Sequence, residues 1–168
     1  DSGIAGAAGL QSTALYRFPG TSGALMSGHG TIVAGLIAGE DGVAPAASVY
    51  DVRVFDKDDA DETQGERPLT SAGLVAGIRA VIDAMPREGF DVVNISLAVR
   101  SDDVALRQAV ADLVAHDVVV VASAGNADDS SEESEGTPDN DATVFPADYP
   151  GVVAVSAAEV RFPSAVAT

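Results

Sequence analysis

Cysteine and tryptophan are both absent from the 168 residues, and aromatic side chains make up only 5%. Without cysteine there is no disulfide and no thiolate metal site, although secreted enzymes can do without bridges, so the absence assigns no compartment. Basic side chains are scarce as well. Nine Lys and Arg face 26 Asp and Glu, for a net charge of −17. Such a surface repels phosphate backbones and anionic lipid heads, which argues against a nucleic-acid or polybasic membrane role; solubility is the first reading of the acidity, with a salt-adapted or calcium-loaded surface as the alternatives. No apolar run approaches the roughly 18 residues that span a bilayer; the longest, Val118 to Ala122, reads as a strand. The numbering opens at Asp1 rather than Met, so the N-terminus reads as a cut end and the lack of a signal peptide carries no information.

What the chain has instead is alanine and valine. Hydrophobic residues reach 46%, enough for a real core in one domain or a large piece of one, which argues against disorder. From Val49 onward, short β-rich runs alternate with helical patterns. Val49–Phe55 reads as a strand. Thr70 to Ala84 places Leu74, Val75, Ile78, Val81 and Ile82 on one helical stripe, with Ser71 or Thr70 available as cap and Pro86 and Gly89 as stops. Asp91–Leu97 is the next strand. Ser101 opens a second helix with Val104, Leu106, Ala109, Val110, Leu113 and Val114 on its inner side, and Val118–Ala122 and Gly151–Ser156 close the series as strands. Strand and helix in alternation predict right-handed crossovers and an α/β fold. The expected architecture is a doubly wound, mostly parallel sheet with helices on both faces, here truncated at both ends. Chemistry in such a sheet lies beyond the carboxyl ends of the strands, which directs attention to Asp1, the segment after Leu97, and Ala124–Asn126. Asp56–Pro68 and Ala127–Ala142, rich in acidic and small polar residues, read as surface loops.

His29 sits between Gly28 and Gly30 at the mouth of a helix that continues Thr31-Ile32-Val33-Ala34-Gly35, with small residues again at Ala38 and Gly39. A helix this poor in side chains is weak, since each Gly costs up to about 1 kcal/mol against Ala. Close approach to neighbours is the expected compensation. His116, between Ala115 and Asp117 at a helix end, reads as a partner for the helix dipole.

The run His29-Gly30-Thr31-Ile32-Val33-Ala34-Gly35 resembles the histidine signature H-G-T-x-V-A-G of subtilisin-like serine proteases, the subtilases of peptidase family S8. Further segments follow in family order. Asp1-Ser2-Gly3-Ile4 is similar to the motif of the catalytic aspartate. Gly42-Val43-Ala44-Pro45 resembles the family's G-V-A-P turn, and Val93–Leu97 resembles the strand lining the substrate cleft. Ala122-Ser123-Ala124-Gly125-Asn126 is similar to the segment of the oxyanion-hole asparagine, and Val144–Ala147 with Tyr149–Val155 resembles the stretch after it. The resemblance covers nearly the whole chain, so residues 1–168 are expected to be a partial S8 catalytic domain. It implies a serine endopeptidase in which His29 is the general base and Asp1 orients and stabilises it. The resemblance likewise implies that Asn126 donates to the oxyanion and that Ser96, Leu97 and Ala98 bind the substrate backbone. Aspartate before histidine is the subtilisin order. The resemblance further implies protein or peptide substrates, a secreted or cell-envelope location, and no cofactor for the chemistry. Structural calcium is known in the family, but Asp58, Asp59, Asp61 and Glu62 follow no EF-hand spacing and read as solvated loop. One hint points to the mycosin-type subgroup.

The chain departs from the pattern in two places. The family's S-L-G-G is Ser96-Leu97-Ala98-Val99 here, so side chains replace both glycines of the cleft wall. The full nucleophile segment G-T-S-[MA]-[AS]-x-P does not occur in the 168 residues; Ser164, in Phe-Pro-Ser-Ala-Val, lacks its context. The chain taken alone is therefore expected to be inert. The rival reading is a catalytically inactive subtilase-like domain that binds peptides. A doubly wound nucleotide-binding domain is excluded, because neither phosphate-binding glycine loop occurs between a strand and a helix.

Overall fold

The computed structural model describes residues 1–6, 10–17, 19, 28–55, 69–125 and 143–157. Both acidic stretches, 56–68 and 127–142, lie outside the described residues, as do Asn126 and Ser164. Among the described residues eight elements run in the order β1 (Ser12–Arg17), α1 (His29–Ala38), β2 (Val49–Arg53), α2 (Ser71–Ala84), β3 (Val92–Ile95), α3 (Val104–Ala115), β4 (Val119–Ser123) and β5 (Val152–Val155). Every pair among the described strands is parallel: β1 with β2, and β3 with β4 with β5. The described strands form two sheets, β1-β2 and β3-β4-β5. Between them opens a cavity of about 690 Å³, walled by Val52 and Val54 on one side, Val93 and Ile95 on the other, and floored by Leu74 and Ile78 of α2.

Helices cover β2 on both faces, as the α/β reading requires. Val49 packs with Leu10, Ala34 and Ala38 against α1. Val52 and Val54 have the opposite parity and pack with Leu74, Ile78 and Val81 of α2. Gly77 makes that approach possible, since a Cβ there would stand 2.5 Å from a Val54 methyl. The larger core joins α2 and α3 to β3 and β4. Leu106, Ala109, Val110 and Leu113 of α3, at helical spacing, are fully buried beside Val120 and Ala122 of β4.

Several details differ from expectation. Strand β1 was not anticipated, because its sequence STALYR has neither a β-branched run nor a clean alternation. Ser101 does not open α3. Asp103 does, its carboxylate accepting from the N–H groups of Ala105 (2.8 Å) and Leu106 (3.1 Å), a stronger cap because it is charged. Val104 faces solvent at 79% exposure, lying about half a turn from the Leu106 stripe. For α2 the cap is Thr70, which accepts from Gly73 N–H at 3.1 Å. The strand expected over Asp91–Leu97 is shorter, Val92–Ile95. Burial along β4 alternates rather than running unbroken: Val120 and Ala122 face α3, whereas Val119 faces outward. The close approach expected of Gly35 is made instead by Gly30; nothing stands within 4 Å of a Cβ at Gly35.

Candidate active site

Asp1 lies alongside β2 in the manner of one more parallel strand. Its amino group donates to Val52 O at 3.0 Å and its carbonyl accepts from Val54 N–H at 2.9 Å, so the two bonds bracket Arg53. Gly3, at φ 101°, then takes a conformation that side chains disfavour and turns the chain away. Ile4 N–H donates to Asp51 Oδ2 at 3.1 Å and Ala5 N–H to Thr31 Oγ1 at 2.8 Å, fixing the turn to β2 and to α1.

This turn brings the Asp1 carboxylate to the N-terminus of α1, whose first residue is His29. Nδ1 of His29 lies 2.8 Å from Asp1 Oδ1. The same oxygen accepts from Ser2 N–H at 2.6 Å and from the Ser2 hydroxyl at 3.2 Å, while that hydroxyl accepts from Gly30 N–H at 3.2 Å. Ser2, 1% exposed, thus ties an otherwise orphan amide of the helix to the carboxylate. The contact is tight enough to demand glycine at position 30. A Cβ there would stand 2.4 Å from Gly3 O and 3.0 Å from Asp1 Oδ1. With Nδ1–H donating to a carboxylate, Nε2 is the nitrogen that can take a proton, and the imidazolium so formed would face a fixed negative charge. The His29 ring is half exposed, which gives a reactant access.

The other predicted residues lie on the second sheet. Ser96, Leu97 and Ala98 are half-buried and link the carboxyl end of β3 to an antiparallel bridge between Val99 and Phe145. Asn94 Nδ2 donates to Ser96 Oγ at 2.9 Å. Ala98 and Val99 border a cleft of about 400 Å³ with Thr70 and Ser71 of α2. Gly125, at φ 85°, leads out of β4 toward Asn126. Asp1 and His29 are therefore brought together, and Ser96–Ala98 sit at the carboxyl end of a neighbouring strand. His116 ends α3, its ring nitrogen 2.7 Å from Asp112 O.

Ser2, Gly30, Thr31 and Asp51 were not singled out from sequence as builders of this site. The signal was present for the first three, since each sits inside a quoted motif; Asp51 gave none, because a carboxylate in a strand reveals no partner until the turn at 3–5 is placed. Among the described residues no group of three or more His, Asp or Glu is arranged to hold a metal ion, and no helix is long and apolar enough to cross a membrane.

Comparison with known proteins shows the family. The model of the subtilase family, Peptidase_S8, matches residues 14–165. Subtilisin DY from Bacillus licheniformis is 34% identical over 140 residues, covering 79% of this chain and 44% of its own length. The major intracellular serine protease of Bacillus subtilis strain 168 is 33% identical over 140 residues, 80% of this chain and 39% of its own. Among solved structures, a mutant of the protease domain of PatA superposes with a TM-score of 0.63 at 28% identity, covering 88% of this chain and 50% of that one. The chain thus spans half or less of the length of these relatives. It belongs to the subtilase family.

Proposed function

We propose that this member of the subtilase family contributes the aspartate, histidine and oxyanion segments of a serine endopeptidase acting on protein substrates. In this reading the nucleophile comes from a Gly-Thr-Ser segment elsewhere in the full protein. The observation that carries the reading is the 2.8 Å contact between His29 Nδ1 and Asp1 Oδ1 at the N-terminus of α1.

The chemistry follows from it. A serine hydroxyl attacks the peptide carbonyl as Nε2 of His29 takes its proton. Asp1 holds the tautomer and stabilises the imidazolium, which then protonates the leaving amine. The Asn126 side chain would donate to the oxyanion, a role whose loss costs about 10²–10³ in kcat, a figure measured in a subtilisin itself. The extended substrate would add to the backbone of Ser96–Ala98 as a strand. Neither metal nor organic cofactor takes part in these steps. Secretion is part of the proposal, by analogy with extracellular members; the intracellular relative shows that membership alone does not impose it.

The test is labelling of the full-length protein by a fluorophosphonate, which needs an activated serine. Wild type is expected to label. His29→Ala should lower kcat by roughly 10⁶ and Asp1→Ala by roughly 10⁴, the orders of magnitude seen in a subtilisin. A full-length protein that binds peptide but neither labels nor cleaves would leave a peptide-binding domain in its place.

A further inference from the structure

Val99 and Phe145 exchange two backbone hydrogen bonds, Val99 N–H to Phe145 O at 2.8 Å and Phe145 N–H to Val99 O at 2.9 Å. Four residues further along each segment there is a second joint. Tyr149, 5% exposed, brings its hydroxyl 3.0 Å from Asp102 Oδ1 and 3.2 Å from Asp103 O, either of which can take its one proton. The same oxygen accepts from Asp103 N–H at 3.3 Å. Segments 99–103 and 145–149 are thus fastened at both ends. The Phe145 and Tyr149 rings pack between the joints with centroids 4.9 Å apart. Arg107 lies over the Tyr149 ring at 5.8 Å and pairs with Asp102. Asp103 in turn accepts from Ser71 Oγ at 2.8 Å, which carries the fastening into the first turn of α2, and Ser71 borders the cleft that Ala98 lines.

Ser96–Ala98 immediately precede the first joint. An extended peptide gains affinity from an added-strand contact only if the receiving backbone is already held in line, because ordering it on binding cancels the gain. We propose that Tyr149 is a positioning residue: its hydroxyl, by locking segment 99–103 from behind, holds Ser96–Ala98 in the geometry that receives a peptide strand. This rests on the peptide-cleft reading of Ser96–Ala98 above. Tyr149 reaches no reacting atom. A buried hydroxyl with three polar neighbours is more than packing at that position requires, since phenylalanine would fill the same space.

The experiment compares wild-type and Tyr149→Phe full-length protein with a fluorescein-labelled octapeptide from casein and with a dipeptide cut from it. Affinity by polarisation, and KM and kcat for the octapeptide, are the readouts. The variant is expected to weaken Kd and KM for the octapeptide about threefold to tenfold, the worth of one hydrogen bond. Octapeptide kcat should stay within about twofold, and the loss should be absent with the dipeptide, too short to use the edge. Asp102→Asn is the second variant, expected to act in the same direction more weakly; its side chain is 40% exposed, so the fold tolerates it. Equal losses for both peptides, a fall in kcat at constant KM, or no change in either variant would overturn the positioning role. The endopeptidase reading fails separately. A protein that cleaves nothing yet loses octapeptide affinity in Tyr149→Phe keeps the positioning role and loses the reaction.

Discussion

The half built from α2, α3 and β3–β5 and the half built from β1, α1 and β2 hold themselves together by different means. In the first, Leu106, Ala109, Val110 and Leu113 are fully buried in a core that reaches from Val54 to Tyr149. In the second, the separate cluster among the described residues is Leu10, Ala34 and Ala38, with Leu15 and Val52 packed against the larger core instead, and α1 leaves Ile32 and Leu36 at 65% and 69% exposure. Yet the second half holds Asp1 and His29. Their positions are set by hydrogen bonds from Val54, Ser2 and Gly30 and by the turn bonds to Asp51 and Thr31. Directional bonds fix where an atom sits, whereas burial mostly fixes how stable the whole is. Stability and site geometry are therefore carried by separate residues.

Two substitutions probe that separation. Leu106→Ala should cost the full-length protein about 2–5 kcal/mol, because the site is fully buried and cannot collapse easily. Denaturant unfolding reads the loss, and activity per folded molecule below the transition should stay at the wild-type value. Gly30→Ala should do the reverse. Its methyl would meet Gly3 O and Asp1 Oδ1, so the pair must shift by some tenths of an ångström or more. Restoring ordinary contact to Gly3 O needs a shift approaching 1 Å, and misplacement of about 1 Å costs on the order of 10²-fold in kcat, with about 1–3 kcal/mol of overpacking strain. If Gly30→Ala lowered stability while leaving kcat intact, the separation would break.

The same contrast explains what could be read beforehand. Helix α2 and the inner face of α3 were legible because apolar periodicity reports burial, and burial is what makes them. The pairing of Asp1 with His29 was legible only through motif resemblance; no periodicity connects two residues 28 positions apart. Strand β1 was illegible because STALYR owes its place to pairing with Val49–Arg53 rather than to its own pattern. The cap of α3 is Asp103 rather than Ser101 because Asp103 is the residue that reaches the Ala105 and Leu106 amides, and residue type alone does not decide between them. The departures Ala98 and Val99 were visible, but the fastening behind them was not, since Tyr149 meets Asp102 only across a tertiary contact.

The smallest expected effect is electrostatic and belongs to the well-packed half. The Asp103 carboxylate is held below its ordinary value of 3.8, first by the Ser71 hydroxyl and then by the Leu106 and Ala105 amides. Its folded pKa is depressed, so the folded state favours the ionised form. That contribution is complete above the ordinary value, declines as pH drops below it, and is lost once pH has fallen through the folded value. Asparagine caps a helix about as well as aspartate but does not ionise. Asp103→Asn should therefore lower Tm slightly at about pH 6, and the gap to wild type should narrow as the pH is taken below about 4. Thermal unfolding of both proteins across that range reads it. A gap that stays constant down to about pH 2.5 would mean that the Asp103 charge adds nothing. The joint between α2 and α3 would then rest on shape alone, like the core beneath it.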